Sequence, residues 1–372
     1  WRNSVDTAKI FCVNGDYLAD ISGVGILDAM MGETYDYDIY PVINAQNLVI
    51  ADLPAFVSEN EEEMQKRYSQ SAQAVYQEIV WPSLTSIASR TGVKMTCMMT
   101  PQFTYTDEEE PDGENVTYYL KRLKEEHAEA GLSADSREGI PLSEKIKQDQ
   151  TFWQTYAPSY RFLSLYADGV KSIGEESALP AEIRTVALGS GASGQAVGYL
   201  NENVTLQPST SSGIRHTFLD DFKVKCMETA LGYSNITLDL YSVTYPEGDE
   251  DSWEKMSKKI AANLGTYWKA YEAFDATTLT ESDVRIRRFL ALDYKQQRAG
   301  NVITLSLEHR EDAAWFLLRL HGEKVTEVAG GSFEEIEDGV YLILAEEDEV
   351  SVEVQTGETW QYQDGGKRGD GT

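Results

Sequence analysis

The stretch AKIFCVNGDYLADISG, residues 8–23, predicts the first strand and helix of an α/β fold. Its apolar run, 10–13, stops at Asn14-Gly15-Asp16, and a helical pattern follows. Residues of these three types favour turns. The carboxyl end of a strand is also where α/β enzymes place their active sites. The segment is therefore either an ordinary turn or a candidate site in which an amide replaces one acidic residue.

Similar buried runs alternate with helical segments through the first three quarters of the chain. They are KIFCV (9–13), YPVIN (40–44), LVIADL (48–53), VKMTCMM (93–99), YRFLSLYAD (160–168), IRTVAL (183–188), NVTLQP (203–208) and NITLDLYSV (235–243). Strands interleaved with helices predict a mostly parallel sheet, either open or closed into a barrel of seven or eight strands. We expect this domain to be a (β/α) barrel that spans residues 1–283.

The pattern changes near residue 284, where the runs become short, alternating and bounded by turns. This periodicity predicts a small antiparallel β-sandwich over residues 284–356. The remaining stretch, 357–372, is rich in glycine and is expected to form a flexible tail. Between residues 58 and 131 the pattern predicts one long helix with a break at Pro82, and a second helix that ends at Gly131.

Composition excludes several classes of partner. The chain carries 62 acidic and 32 basic residues, a formal charge of -30, which disfavours binding to nucleic acid or to anionic membranes. Its three cysteines lack metal-ligand spacing, and only four histidines are present, so no metal or other cofactor is expected. The chain starts without Met or a signal peptide, and we expect a soluble fragment of a longer exported or membrane-anchored protein.

The glycine-rich sequence GSGASG, residues 189–194, fits the dinucleotide-binding fingerprint literally. About eight residues separate it from the next strand, which is too few for the helix that would bind a pyrophosphate. A flexible glycine loop is the favoured interpretation.

A second motif, EEHAEAGLSADSREG, occupies residues 125–139. Together with the segment around Asn14 and Asp16, it resembles polysaccharide deacetylases of the NodB type. These are distorted (β/α) barrels that remove N-acetyl groups from surface sugars. In that family the first strand ends in two aspartates, one a base and one a metal ligand. A later motif, E-x-G-x-H-x-x-x-H, supplies two metal-binding histidines.

The resemblance implies a degenerate site. The second motif aligns from Glu129, with Ser133 and Arg137 where the histidines would stand, and Asn14 would replace the base. Serine is a poor ligand for a transition metal, and a guanidinium would place a permanent cation at the metal position. An amide cannot act as a general base. The resemblance thus implies a pseudoenzyme without a metal and without metal-dependent deacetylation.

The layout of barrel and sandwich also resembles a bacterial family of unassigned function that accompanies Pel-type exopolysaccharide gene clusters. This resemblance implies an extracellular or cell-surface location. It implies a polysaccharide or oligosaccharide ligand, including a cationic amino sugar, and contact with other exopolysaccharide-synthesis proteins. It also directs attention to Arg161, because deacetylases carry an arginine-containing segment at a strand.

Catalysis without a metal is a separate hypothesis. Four carboxylates lie at or just beyond predicted strand ends, namely Asp16, Asp168, Asp239 and Glu247. Two of them at a suitable separation would serve glycoside hydrolysis, although an acidic chain is expected to place several there by chance. Aromatic rings near the same ends would stack on sugars or simply pack. The candidate ligand-binding residues are Asn14, Asp16, Tyr17, Ser133, Arg137, Arg161, Tyr166, Tyr241 and Tyr245.

The sequence therefore favours a carbohydrate-binding domain that no longer deacetylates. The alternative is a metal-independent carbohydrate hydrolase that uses paired carboxylates. A structural or protein-binding module is a third class, and it predicts no polar cleft lined with aromatic residues.

Overall fold

The computed structural model describes residues 2–5, 8–21, 23–106, 110–137, 140–173, 179–189 and 195–356. The chain divides into two compact units. Unit 1 comprises Trp1–Met30 and Val42–Leu290, and unit 2 comprises Met31–Pro41 and Ala291–Thr372. The predicted tail and residues 190–194 of the predicted glycine loop lie outside the described residues.

Unit 1 is built around one large sheet. Its seven main strands are β4 (Ala45–Ala55), β5 (Met95–Thr100), β6 (Glu129–Ser133), β7 (Ser164–Ala167), β8 (Thr185–Leu188), β10 (Thr205–Pro208) and β12 (Tyr233–Asp239). Three short strands accompany them, β9 (Gly198–Tyr199), β11 (Ser211–Ser212) and β13 (Ala276–Thr277). A separate hairpin consists of β1 (Arg2–Val5) and β2 (Ala8–Phe11).

The main strands are parallel and follow the order β12-β4-β5-β6-β7-β8-β10. All six residues of β5 are buried, which explains its continuous apolar sequence, because a parallel strand is covered on both faces. The prediction of a mostly parallel α/β domain is confirmed.

The sheet curls towards a barrel, but the barrel is not closed. In the described part of the chain no ladder joins β10 to β12; β11 pairs with β12 instead, while β10 pairs with β8. Individual hydrogen bonds cross this gap, from Thr210 N to Asn235 O at 2.9 Å and from Asn235 Nδ2 to Gln207 O at 3.1 Å. The expectation of a barrel is therefore right about the strands and wrong about closure.

Helices connect the strands. They are α1 (Gly23–Thr34), α2 (Glu61–Tyr68), α3 (Ala72–Val75), α4 (Trp81–Thr91), α5 (Val116–Glu125), α6 (Leu142–Tyr156), α7 (Val170–Ile173), α8 (Phe218–Leu231), α9 (Tyr241–Thr244), α10 (Trp253–Asn263) and α11 (Leu279–Ala291). Short π-helical segments span Tyr76–Val80 and Leu264–Trp268, and 3-10 turns span Asp249–Asp251 and Lys269–Tyr271. No described helix is long and apolar enough to cross a membrane.

The helix predicted from residue 58 is interrupted between α2 and α3, whereas α3, the π-helical segment Tyr76–Val80 and α4 follow one another without a gap, so the predicted break at Pro82 is wrong. Pro82 lies in the first turn of α4, where a missing amide hydrogen costs little. The helix predicted to end at Gly131 stops at Glu125, and Gly131 is a residue of β6. A Cβ at Gly131 would overlap the side chains of Met98 and Ser164, so the glycine serves strand packing rather than a helix cap.

Helix α11 covers the amino ends of the strands through polar contacts. Leu279 N donates to Thr96 Oγ1 at 3.0 Å, and Thr280 N donates to Glu129 Oε2 at 2.9 Å. Inside the sheet, Asn47 Nδ2 donates to Gln207 Oε1 at 3.0 Å. These buried groups are satisfied by one another, as burial requires. The carboxyl ends of the strands, where α/β proteins place their active sites, lie at the opposite end of the sheet.

Unit 2 contains two four-stranded sheets. One has the order β14-β15-β20-β17 and the other β18-β19-β16-β3. The strands are β3 (Tyr37–Val42), β14 (Asp293–Ala299), β15 (Val302–Glu308), β16 (Ala314–Leu320), β17 (Glu323–Ala329), β18 (Gly331–Glu337), β19 (Val340–Ala345) and β20 (Glu349–Thr356).

The two sheets enclose an apolar core to which Ile303 and Val352 of one sheet and Phe316 and Ile343 of the other contribute. The predicted antiparallel sheets are confirmed. The sequence did not predict that β3 would add Ile39 to the same core, and the predicted boundary at 283/284 lies inside α11.

Candidate functional site

The first strand of the parallel sheet is β4, and the carboxylate near its end is Asp52. Asp52 is wholly buried and has a φ of 59°, in the left-handed region that costs a residue other than glycine about 1–3 kcal/mol. The register between β4 and β5 shifts between Ala51 and Ala55. Such irregularities are common beside active sites, where they redirect a side chain.

Strand β6 brings Ser133 to this carboxylate. Ser133 Oγ donates to Asp52 Oδ1 at 2.7 Å and accepts a hydrogen bond from Asp135 N at 3.1 Å. Burial, followed by the negative charges of Asp135 and Asp239, raises the pKa of Asp52 well above its usual range. Ser133 of the second sequence motif therefore contacts Asp52 directly. Asp135, two residues later in the same motif, supplies a second carboxyl group.

Four carboxyl groups act on one another at this end of the sheet, and we call them the strand-end carboxyl cluster. Its members are Asp52, Asp135, Asp168 and Asp239. Burial, then Asp239 and Asp168, raise the pKa of Asp135 to about 7. Asp168 and Asp239 are the exposed members. Desolvation by neighbouring groups nevertheless raises the pKa of Asp239, with a further contribution from Asp168. Repulsion and burial together therefore favour retention of protons within the cluster near neutral pH.

A buried lysine partly offsets this negative charge. Lys145 Nζ donates to Asp149 Oδ2 at 2.7 Å, to Tyr105 OH at 2.8 Å and to Thr100 Oγ1 at 3.1 Å. Tyr105 OH in turn donates to Asp149 Oδ1 at 2.7 Å. The cation is fully buried, and its charge lowers the pKa of Asp135 against the larger effects that raise it.

Tyrosines line the same end of the sheet. The rings of Tyr241 and Tyr245 stack with centroids 5.0 Å apart, and the guanidinium of Arg137 lies 4.5 Å from the centre of the Tyr245 ring. Tyr245 OH donates to Glu59 Oε2 at 2.7 Å. Tyr166 is 2% exposed, and burial followed by the nearby aspartates raises its pKa. The predicted residues that lie at or just beyond the carboxyl ends of these strands are Ser133, Arg137, Tyr166, Asp168, Asp239, Tyr241 and Tyr245.

The structure places Asn14, Asp16 and Tyr17 elsewhere. Strand β2, which precedes them, pairs with β1 and is not part of the parallel sheet. Tyr17 packs edge-on against Phe222 of α8, with ring centroids 5.2 Å apart. The interpretation of residues 8–13 as the first barrel strand is therefore wrong. The same sequence signal, an apolar run followed by an acid, was present in LVIADL and would have identified Asp52.

Two further predicted residues are not members of the cluster. Arg161 precedes β7 and so lies towards the amino end of that strand, whereas the cluster is at the carboxyl ends. The side chain of Glu247 is 84% exposed and faces Arg215 at 3.9 Å. The direction of β7 thus separates Arg161 from the cluster, whereas Glu247 belongs to an exposed ion pair with Arg215, whose charge also acts on Asp239.

The residues that the deacetylase resemblance would assign to a metal do not fit one. Ser133 binds Asp52, and Arg137 stacks on Tyr245 with its permanent positive charge. Across the described residues, no three His, Cys, Asp or Glu side chains are arranged to hold a metal ion. A transition metal prefers imidazole or thiolate donors, which this arrangement does not provide.

Comparisons with known proteins give limited matches. Residues 1–138 match a family described as an uncharacterised protein conserved in bacteria (DUF2194). No curated protein matches the sequence. The chain is similar to a candidate polysaccharide deacetylase from Mycobacterium smegmatis, at 8% identity and a TM-score of 0.40, over 65% of this chain and 90% of that one.

Two other solved structures show comparable similarity. A candidate glycoside hydrolase or deacetylase from Parabacteroides distasonis has 9% identity and a TM-score of 0.37, over 75% of this chain and 82% of that one. The α-fucosidase of Thermotoga maritima has 9% identity and a TM-score of 0.31, over 83% and 95%. Identities and TM-scores this low leave the function of this chain to its own residues.

Proposed function

We propose that unit 1 hydrolyses glycosidic bonds in a carbohydrate polymer and uses the strand-end carboxyl cluster without a metal. The observation that carries the proposal is the convergence of carboxyl groups from four strands, one of which has a pKa of about 7. Glycosidases use a pair of carboxyl groups, one protonated and one ionised, and an environment that separates their pKa values assigns the two roles.

Each member of the cluster has a distinct role in this proposal. Asp135 retains a proton near neutral pH and acts as the general acid. Asp168 and Asp239 are exposed, so either can reach the sugar as a base or nucleophile. Asp52 is buried, and it positions Ser133 through the hydrogen bond that it accepts from that residue. The exposed parts of Tyr241 and Tyr245 supply a stacking surface for a sugar ring.

The test is release of reducing ends by the full chain from soluble oligosaccharides of N-acetylhexosamine, hexosamine and neutral hexose. Asp135→Asn, Asp168→Asn and Asp239→Asn are compared with Glu254→Gln, which removes one exposed carboxylate from α10. General acid–base groups contribute about 10²–10⁴-fold to the rate of an enzymatic reaction. We therefore expect the rate of reducing-end release to fall by that factor in Asp135→Asn and in at least one of Asp168→Asn and Asp239→Asn, and to be unchanged in Glu254→Gln. Activity that all three aspartate variants retain would overturn the proposal.

Binding without hydrolysis is the second candidate, and it is the function that the sequence analysis favoured. The observation in its favour is that Asp52, at the position where the deacetylase resemblance expects an acid, is buried and bonded to Ser133. This candidate predicts that the same oligosaccharides bind, that no reducing ends appear, and that Tyr241→Ala weakens binding. Acetate release that requires added zinc would contradict both candidates.

An extracellular or cell-surface location, next to other exopolysaccharide-synthesis proteins, also belongs to this proposal and is supported by the sequence resemblance. Fractionation of cells that express the full-length protein tests it.

A further inference from the structure

A separate concave region lies entirely on unit 2. It is a cavity of about 840 Å³, and its lining includes Tyr35, Tyr37, Asp38, Arg298, His321 and Glu323. A second cavity of about 520 Å³ shares Arg298, Glu323 and Thr356 with the first, so the two adjoin. We call the pair the sandwich groove. Its size is that of a site for a small molecule or a few sugar rings.

Strand β3 places an acid in this groove. Asp38 lines the larger cavity, whereas its neighbour Ile39 packs in the core of unit 2. Asp38 is only 8% exposed, and its Oδ2 atom has no hydrogen-bond partner among the described residues. A buried polar atom without a partner is unfavourable, and a ligand that donates a hydrogen bond would satisfy it.

The centre of the groove is a fixed ion pair. Arg298 Nη2 lies 2.7 Å from Glu323 Oε1, and Arg298 Nη1 lies 2.9 Å from Glu323 Oε2, so the two side chains neutralise each other in a bidentate arrangement. Among the described residues that line the larger cavity, the carboxylates of Asp36, Asp38 and Glu323 outnumber the guanidinium of Arg298. The guanidinium of Arg319 also acts on Asp38, so the carboxylates exceed the guanidinium groups by one, and this net negative charge is complementary to a cation.

Aromatic rings complete the site. Tyr35 is 55% exposed although it is large and apolar, and Tyr37 lies below the Arg298 guanidinium at 5.4 Å. An exposed ring beside carboxylates suits a ligand that has both a flat apolar face and a positive charge. A sugar ring with a free amino group has both properties.

We propose that the sandwich groove binds the protonated amino sugars of a hexosamine polymer. The ammonium group donates to Asp38 and lies near Asp36, and the sugar ring stacks on Tyr35. This site is independent of the proposed function of unit 1, because it uses none of the residues of the strand-end carboxyl cluster.

Calorimetric titration of the full chain with a glucosamine tetramer and with its fully N-acetylated counterpart tests the proposal. We expect the glucosamine tetramer to bind at least about tenfold more tightly, because acetylation removes the charge. Tyr35→Ala and Asp38→Asn should each weaken that binding about tenfold or more. Glu334→Gln, which removes an exposed carboxylate from β18 of the same unit, should leave it unchanged.

The doubly substituted Asp168→Asn/Asp239→Asn protein separates the two sites. Unchanged glucosamine binding in that protein supports a site on unit 2, whether or not unit 1 proves to be a hydrolase. If the double variant loses glucosamine binding while Tyr35→Ala binds fully, the proposed site in the sandwich groove is overturned. The proposed function of unit 1 is unaffected by that result. Equal binding of the acetylated tetramer, or of a lysine tetrapeptide with the same dependence on Tyr35, would also overturn the assignment to an amino sugar. Because Tyr35 is exposed, its variant is expected to fold even if Asp38→Asn does not.

Discussion

Replacement of Lys145 by methionine tests whether the charge beside the carboxyl cluster is truly buried. Methionine has a similar length but neither the charge nor the donors of the lysine. All three of the hydrogen bonds made by Lys145 Nζ disappear, and Asp149, whose side chain is 8% exposed, loses its counter-ion. Asp149 then keeps the hydrogen bond from Tyr105.

The expected magnitude follows from this burial. Removal of one partner of a buried ion pair costs about 3–5 kcal/mol, because the remaining charge is left without compensation. Replacement of both partners of a buried pair by apolar residues is often neutral or stabilising. Here the replacement also removes the acceptor of the Tyr105 hydroxyl, which costs about 1–3 kcal/mol of stability. The double variant Lys145→Met/Asp149→Leu should therefore be more stable than Lys145→Met alone by about 2 kcal/mol.

Urea unfolding at pH 7, followed by circular dichroism, measures these differences. Lys121→Met is a matched control, because Lys121 also pairs with an acid four residues later, but its side chain is 75% exposed. An exposed pair contributes about 0–1 kcal/mol. The claim of a desolvated pair fails if Lys145→Met lowers the free energy of unfolding no more than Lys121→Met does. It also fails if the double variant is less stable than Lys145→Met. The lost cation should also raise the pKa of Asp135 above its value of about 7.

Three further predictions concern buried positions of unit 1. Burial raises the pKa of Glu228 to about 7 from the ordinary 4.5, so its ionisation opposes folding, and the wild type loses stability as the pH rises between these values. Glu228→Gln should thus be more stable by up to about 3 kcal/mol at pH 8 with little change at pH 4, and equal effects in denaturation curves at both pH values would contradict this. Gly131→Ala should lower stability by about 1–3 kcal/mol because its Cβ overlaps side chains of β5 and β7, whereas Gly198→Ala, with open space around it, should not; equal melting temperatures would refute the clash. Gly189→Ala would bring a Cβ within 2.8 Å of Asp168 Oδ1, so reducing-end release should fall while the circular dichroism spectrum is retained, and unchanged release would remove Asp168 from the proposed site.

Local sequence signals located part of the site. Asp168 and Asp239 were recognised because each follows a continuous apolar run, and such runs become parallel strands with both faces buried. Ser133 was recognised through its place in a motif, and its actual contact is with Asp52. Asp135 lies in the same motif, but only the turn after β6 reveals that it joins the cluster.

The error over Asp16 has a different origin. Residues 8–13 and 48–53 carry the same local signal, an apolar run with an acid at or after its end. Which run starts the sheet depends on hydrogen bonds to strands that lie far away in sequence, since β4 pairs with both β5 and β12. No local pattern contains that information. The left-handed φ of Asp52 is equally invisible, because the sequence there predicts a regular strand.

The sequence by itself determined that this protein has a mostly parallel α/β region followed by antiparallel sheets, because the spacing of apolar residues reports which faces of each element are buried. Tertiary structure alone decided which acids meet, that the barrel stays open, and that β3 joins a unit about 250 residues further along the chain. The physical reason is that burial periodicity is a local property. Strand order, the pKa values of mutually repelling carboxyl groups and the sandwich groove all depend on contacts between residues remote in sequence.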